Sequence, residues 1–333
     1  MKYEILRILK EKSMEYVSGE RLSEILGVSR TAVWKCINEL KKEGYVIESV
    51  SKKGYKLETS PDILNEFEIG HGLNTSIIGR QIHYFKSIDS TNNYAKKAAQ
   101  EGCEEGTVIV ADAQTSGRGR LGRSWESKED SGIWMSVVLR PYIAPEDVQI
   151  MTLAASVAVV AALKSVAGVD AGIKWPNDII IGGRKVCGIL TEMSTEMDRV
   201  NYLVLGIGIN INQKKEDFPE ELRNTAISLK AYMAENNMSV ANIKRSDIIK
   251  IVLLELEKQY ENMKRRNTEE IINKWRENSV TIGRKVKIIY KNVEYEGTAK
   301  DVTDDGKLIV HCSDGVTREI SSGEVSVRGI MGN

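Results

Sequence analysis

Between Gln114 and Trp125 the chain reads "QTSGRGRLGRSW", three arginines set among three glycines and closed by a tryptophan. Arginine forks match the oxygens of carboxylates and phosphates, and glycine lets backbone come close to a ligand. The loop directly follows the strand-like "GTVIVADAQ", so it leaves from a strand end, where open sheets bind ligands. This pattern suits an anion that must be enclosed and then released. An RGG-like nucleic-acid segment or a solvated loop has a similar composition, but RGG segments repeat in disordered surroundings, whereas this one occurs once and is framed by strands. A second feature is "LGIGININ". Strand alternation puts Gly206, Gly208 and Asn210 on one face and Ile207, Ile209 and Ile211 on the other. A face bare up to a single amide admits either a ligand or a tightly packed helix. Next to it, "GGRKVCGILTE" places Lys185 at the start of a strand after a Gly-Gly turn, with Gly188 beyond. By type alone a lone lysine is most often a surface group. The chain has no P-loop, so any nucleotide is held in a less common way.

The elements that must position these groups form a mixed sheet with helices packed on it. From about Phe67 to Val280, strand-like runs ("GTVIVADAQ", "GIWMSVVLR", "GIKWPNDIII", "KVCGILTEM", "YLVLGIGININ") alternate with helices expected at 147–166 and 244–264. The last fifty residues differ. They carry two Asp-Gly turns between short alternating strands and no helical stretch, as a small β-barrel would. The first sixty differ again. "KYEILRILK" lines up Ile5, Leu6 and Leu9; Ser18 can cap a helix with Leu22, Ile25 and Leu26 inward that ends at Gly27; Ser29 can cap another with Val33, Ile37 and Leu40 inward that stops at Gly44. Helix, short turn, helix, then a hairpin with Ser51-Lys52-Lys53-Gly54 at its tip predict a winged helix-turn-helix. Its second helix would offer Arg30, Thr31, Trp34, Lys35 and Asn38 to the major groove, while Lys52 and Lys53 reach phosphates. The bland reading is a three-helix interaction module with a solvated face; the joint occurrence of cap, glycine, cap and basic wing favours DNA.

Composition limits the remaining classes. With 333 residues and 41% hydrophobic content the chain can fill two or three domains. Its formal net charge is zero, and residues 1–60 hold 12 Lys+Arg against 9 Asp+Glu, a surplus too small to argue nucleic-acid binding alone. Cys36, Cys103, Cys187 and Cys312 form no CxxC pair and there are only three histidines, so neither a disulfide framework nor a metal site is expected. The start "MKYEILRILKEKS" lacks the apolar segment of a secretory signal, and "IMTLAASVAVVAAL" (150–163) is too short to span a bilayer and reads as a buried helix. A cytoplasmic protein without membrane contact is expected.

At this point the residues carry a resemblance. "DSTNNYA", "QTSGRGRLGRSW", "KWPNDI", "KVCGILTEM" and "GIGIN", in this order after a winged helix and before a small β-barrel, resemble the bifunctional biotin protein ligases that also repress biotin genes. The resemblance covers essentially the whole chain. It implies a multidomain α+β protein: a winged helix-turn-helix at 1–62, a catalytic biotin/ATP-binding domain of the biotin/lipoate ligase, class II synthetase-like type at 63–280, and an SH3-like barrel at 281–333. It implies ATP, Mg²⁺ and biotin as reactants and biotinyl-5′-AMP as intermediate and co-repressor. A biotin carboxyl carrier domain, operator DNA and a ligand-induced homodimer are the implied partners. Ser90, Thr91, Asn92 and Gln114 would line the biotin pocket; Arg118, Gly119 and Arg120 would fold over the biotin tail and phosphate, with Arg123 nearby. Lys185 would contact the carboxylate and then the adenylate phosphate. Asn210, with Gly206 and Gly208, would face the adenylate, Trp125 would form a hydrophobic wall, and Asp178 would orient or deprotonate the acceptor lysine. The segment 212–229 would close over the nucleotide, with Phe218 its one aromatic residue. Two alternatives are a lipoate-type ligase and a biotin-sensing repressor that no longer catalyses.

Overall fold

The computed structural model describes residues 1–13, 15–196, 199–240, 243–290, 293–321 and 324–327. Two compact units result, Met1–Ile63 and Leu64–Asn333. The last residues of the expected small barrel, 328–333, lie outside the described residues.

In the first unit α1 (Lys2–Glu11), α2 (Gly19–Leu26) and α3 (Arg30–Lys42) precede a hairpin of β1 (Val46–Val50) and β2 (Gly54–Thr59). The local signals act as read. Ser18 Oγ accepts the Arg21 N–H at 3.0 Å, Ser29 Oγ accepts the Ala32 N–H at 3.2 Å, and Gly27 ends α2 in the left-handed region at φ 64°. Each such N-cap is worth about 1 kcal/mol. Ile5, Leu6, Leu9, Leu22, Val33, Ile37 and Leu40 close the core, joined by Cys36. Ile25 corrects the reading: it is 50% exposed, because α2 is eight residues long and its inward line is held by Leu22 with Leu26 half-buried. At the wing, Gly54 is obligatory, since its φ is 116° and a Cβ there would stand 2.2 Å from the Val17 carbonyl oxygen.

The second unit is built on seven strands. In chain order it runs α4 (Glu66–Gly70), β3 (Ile82–Ile88), α5 (Thr91–Gln100), β4 (Val108–Gln114), β5 (Gly132–Leu139), α6 (Val148–Ala167), β6 (Gly172–Lys174), β7 (Asp178–Ile181), β8 (Arg184–Glu196) and β9 (Arg199–Asn210). Then come α7 (Leu229–Glu235), α8 (Arg245–Lys264) and α9 (Thr268–Glu277). The sheet order is β3-β4-β5-β9-β8-β7-β6, parallel between β3 and β4 and antiparallel elsewhere. Alternation separates its faces. Val108, Val110, Ile207 and Ile209 join α6 and α8 in the main core, while Ile109, Val138 and Val204 meet Ala95 and Ala99 of α5 on the other side. α6 is apolar all round and accordingly buried on nearly every side. "GIKWPNDIII" is not one strand, as expected, but two. Pro176 has no N–H for the ladder, so the chain turns there and β7 folds back on β6.

Five antiparallel strands complete the unit: β10 (Lys285–Tyr290), β11 (Val293–Val302), β12 (Leu308–Cys312), β13 (Thr317–Ile320) and β14 (Glu324–Val327), in the order β13-β12-β11-β10-β14. Both Asp-Gly turns fall between strands, with Gly306 and Gly315 at φ 86° and 82°. This sheet is tied to the larger one. Trp175, fully buried, donates its indole N–H to the Gly306 carbonyl at 3.0 Å, and Arg276 of α9 grips Asp301 at 2.8 and 3.1 Å.

Candidate functional site

The arginine segment is a folded hairpin at its base. Gln114 N–H donates to Ser127 O at 2.9 Å, Trp125 N–H to Gly117 O at 2.9 Å, and Gly119 N–H to Arg123 O at 2.7 Å. Gly117 is required, because a Cβ would lie 2.3 Å from the Trp125 carbonyl oxygen. At the tip Leu121, at φ 56°, is 71% exposed. Under this hairpin lies a pocket of about 460 Å³, a size that suits a small-molecule site. All fourteen residues singled out in the central region line it: Ser90, Thr91, Asn92, Gln114, Arg118, Gly119, Arg120, Arg123, Trp125, Asp178, Lys185, Gly206, Gly208 and Asn210.

One end is polar and wired. Ser90 precedes α5 without using its hydroxyl as a cap. The Thr91 N–H and hydroxyl both reach Gln114 Oε1, at 2.8 and 3.1 Å, and Gln114 Nε2 donates to Ser127 Oγ at 2.8 Å, which fixes the orientation of that amide. Ser136 Oγ lies 2.8 Å from Thr91 Oγ1 and 2.6 Å from Asn92 Oδ1. Asn92 Nδ2 in turn donates to Glu192 at 2.8 Å, beside Lys96 at 2.9 Å and Arg118 at 3.8 Å. Burial opposes ionisation of Glu192, yet the bonds from Lys96 and Asn92 outweigh it and hold the carboxyl below its ordinary range. Ser136 and Glu192 were not foreseen. Both point inward from strands whose partners become visible only when α5 is placed.

At the centre, the bare strand face is explained by packing. A Cβ on Gly206 would stand 2.2 Å from Asn92 Oδ1, and one on Gly208 would stand 2.7 Å from Trp125 Nε1. So α5 accounts for the first glycine and the loop's indole for the second. Trp125 meets Trp134 edge-on at 6.5 Å and carries Lys185 Nζ 5.2 Å above its ring. Its own Nε1 is buried without a hydrogen-bond partner.

At the far end Lys185 Nζ is 2.6 Å from Asp178 Oδ1. Asp178, expected to orient or deprotonate an incoming lysine, is engaged here by Lys185. Arg120 Nη1 donates to Asn177 Oδ1 at 2.9 Å, while Asn177 Nδ2 donates to Ile189 O at 2.9 Å. The backbone of Lys185 pairs with the loop after β9, through Lys185 N–H to Thr225 O at 2.8 Å and Ile227 N–H to Lys185 O at 2.9 Å. That loop brings Phe218, Pro219 and Leu222 to the pocket wall. Phe218 is itself buried, and Asn210 is spanned by Gln213 at 3.1 Å and Ile227 O at 3.4 Å.

Behind the pocket sits a charge cluster that motif reading passed over. Arg245, the first residue of α8 and fully buried, donates to Asp112 at 2.7 Å, to the Gly132 carbonyl at 3.4 Å and to Asp130 at 3.0 Å. Asp112 lies two residues before Gln114, and Asp130 and Gly132 lead into β5. One guanidinium thus pins both ends of the arginine hairpin's connection. Burial, with Asp112 nearby, pushes the Tyr84 hydroxyl up to about 12. The carboxylates of Asp112, Glu129 and Asp130 converge, and Arg245 and Lys86 pair with them.

In the first unit Arg30, Thr31, Trp34 and Lys35 are exposed on α3, Asn38 is half-buried, and Lys52 and Lys53 stand exposed at the wing tip. Lys53 Nζ lies 5.5 Å over the Tyr16 ring.

Comparison with known proteins places this geometry. Residues 84–210 match the biotin/lipoate A/B protein ligase family, residues 2–56 an HTH domain, and residues 281–328 the biotin protein ligase C-terminal domain. The chain is 41% identical to the bifunctional ligase/repressor BirA of Bacillus spizizenii over 97% of both chains, and 28% identical to that of Escherichia coli over 94% of both. Biotin protein ligase from Aquifex aeolicus, solved with biotin and ATP, superposes with a TM-score of 0.61 at 28% identity, covering 75% of this chain and 99% of that one. With a ligase core, an N-terminal HTH domain and near full-length identity of this order, the chain belongs to the family of bifunctional biotin protein ligases and repressors.

Proposed function

We propose that the protein joins biotin to ATP, passes the biotinyl group to one lysine of a biotin carboxyl carrier domain, and binds operator DNA with biotinyl-5′-AMP as co-repressor. The observation that carries this reading is the convergence of all fourteen residues on one pocket, polar at one end and cationic at its mouth. The working division is a winged helix at 1–62, a catalytic region at 63–280 and a small β-barrel domain at 281–333.

The chemistry follows from charge. A biotin carboxylate oxygen attacks the α-phosphorus, the bond to the β-phosphate oxygen breaks, and pyrophosphate leaves. Two anions meet in that step, and the charge that builds on the phosphate is offset by cations already in place. Lys185 and Arg120 supply fixed positive charge at the phosphate end, and Mg²⁺ arrives with ATP as counter-ion of its phosphates. Thr91 and Gln114, bonded to each other, and Asn92, joined to Thr91 through Ser136, present short polar groups to the ureido ring. Asn210 and the Phe218 loop face the nucleotide. Asp178 acts through Lys185, holding its ammonium in place. In the second half-reaction the carrier lysine attacks the acyl carbon, AMP leaves, and the amine gives up its proton to solvent.

Incubation with ATP, Mg²⁺, biotin and a carrier domain, followed by mass measurement, is expected to add one biotinyl group to the carrier. Lipoate in place of biotin is expected to add nothing. An unmodified carrier with biotin, alongside intact ligand-dependent DNA binding, would establish the non-catalytic sensor instead. Deletion of residues 1–62, which form a compact unit with the adjoining Ile63, should abolish operator binding and leave adenylation intact.

Arg120→Gly tests the enclosing role of the hairpin. The variant should fold, since Arg120 lies in the loop and outside the buried core, but lose the bond to Asn177 and release the adenylate, which then acylates exposed lysines of bystander proteins. If labelling stays confined to the carrier, Arg120 does not retain the intermediate.

A further inference from the structure

α3 has more apolar surface than its packing uses. Val33, Cys36, Ile37 and Leu40 satisfy the core on one side, yet Trp34, on the opposite side, is 56% exposed. Around it the helix carries Arg30, Lys35, Asn38, Lys41 and Lys42 with one acid, Glu39, and Trp34 shares a shallow depression with Lys35, Asn38, Glu39, Lys41 and Lys42. A large ring on a mostly cationic face is an odd choice for a surface that meets only water, and an odd one for phosphate contacts, which need donors. It fits the floor of a DNA major groove. The one apolar group displayed there is the C5-methyl of thymine, which no other base carries.

We propose that Trp34 is a specificity-determining residue that selects thymine at one position of each half-site by packing its indole on the C5-methyl group, while Arg30, Lys35 and Asn38 contact neighbouring base edges and phosphates. The inference rests on the operator-binding reading above and names what that surface reads.

The test uses the full-length protein with biotin, ATP and Mg²⁺, and a duplex enriched by the parent protein from a random pool. Each thymine is replaced singly by uracil, which removes the methyl group and leaves every hydrogen-bonding group in place. Affinity is measured at fixed salt for the parent, Trp34→Ala and Trp34→Phe. For the parent, one thymine per half-site is expected to be sensitive, with about a fourfold loss, the worth of one buried carbon. Trp34→Ala should bind more weakly and be indifferent to that same replacement, so that the two changes are non-additive. Trp34→Phe should recover part of the sensitivity. If the uracil penalty is the same in Trp34→Ala as in the parent, or if no thymine is sensitive, the proposal fails while operator binding stands. If Trp34→Ala instead weakens self-association without DNA and keeps the uracil penalty, the indole is a protein contact and the proposal is overturned. Failure to enrich any duplex overturns operator binding itself, and the thymine reading with it.

Discussion

Lys185→Ala is expected to slow single-turnover formation of the adenylate by at least about a hundredfold, the usual cost of removing one preorganised charge from a reacting phosphate. The ammonium is held from two sides, 2.6 Å from Asp178 and 5.2 Å above the Trp125 ring. It therefore needs no reorganisation when negative charge develops. Biotin affinity should fall much less, because the polar end of the pocket is built from Thr91, Asn92, Gln114 and Ser136, none of which leans on Lys185. The loop beyond β9 should stay in place, since its bonds run to the lysine backbone and not to its side chain. Rapid-quench measurement of pyrophosphate release, paired with biotin titration calorimetry, separates these effects. Near-parental release would reduce Lys185 to an ordinary lysine, and an equal loss in both quantities would make it a binding group with no special part in the transition state.

The second large effect is on stability. Arg245→Ala should lower the stability of the larger unit by about 3–5 kcal/mol, because it strips the buried Asp112 carboxylate of its close cation at 2.7 Å and leaves only the exposed Lys86 at 3.9 Å. For a unit of this size that corresponds to a drop of roughly 6–20 °C in Tm. Pairing Arg245→Met with Asp112→Asn should restore most of the loss, since the cost lies in the uncompensated charge and not in the missing bond itself. Calorimetric melting of the parent, the single variant and the pair decides this. A pair no more stable than the single variant would show that the guanidinium acts through shape, by bracing Gly132 and Asp130.

Both cases show what the sequence did and did not disclose. The arginine loop, the Gly-Gly turn before Lys185 and the alternating "LGIGININ" were legible because each is a local signal: residue type and spacing state the chemistry. The helix caps Ser18 and Ser29 were legible for the same reason. Ser136, Glu192 and Arg245 were not, because their meaning depends on partners 44, 100 and 133 residues away. A trace of Arg245 was nonetheless present. The carboxylate in "VIVADAQ" sits among apolar residues, and a charge so placed demands a cation from elsewhere. The glycine pair left two readings open, and Asn92 and Trp125 pack against it where it borders the pocket. Ile25 and the split at Pro176 failed because a short helix and a tight turn each override the periodic pattern that a longer element would obey.

The all-apolar α6 has a consequence for how the protein is made. Together with the turn before it, Pro145 to Ala167, it is long and apolar enough to match a bilayer-spanning helix, yet in the finished fold it is covered by the sheet and by α8. α8 ends at Lys264, almost a hundred residues further along the chain. At ribosomal speeds of about 5–20 residues per second, α6 leaves the ribosome several seconds before its cover does. For that interval the nascent chain displays a long apolar segment, and a substitution that slows docking of α8 lengthens the interval. The yield of protein obtained at synthesis then depends on chaperone capacity, even when the final stability is unchanged.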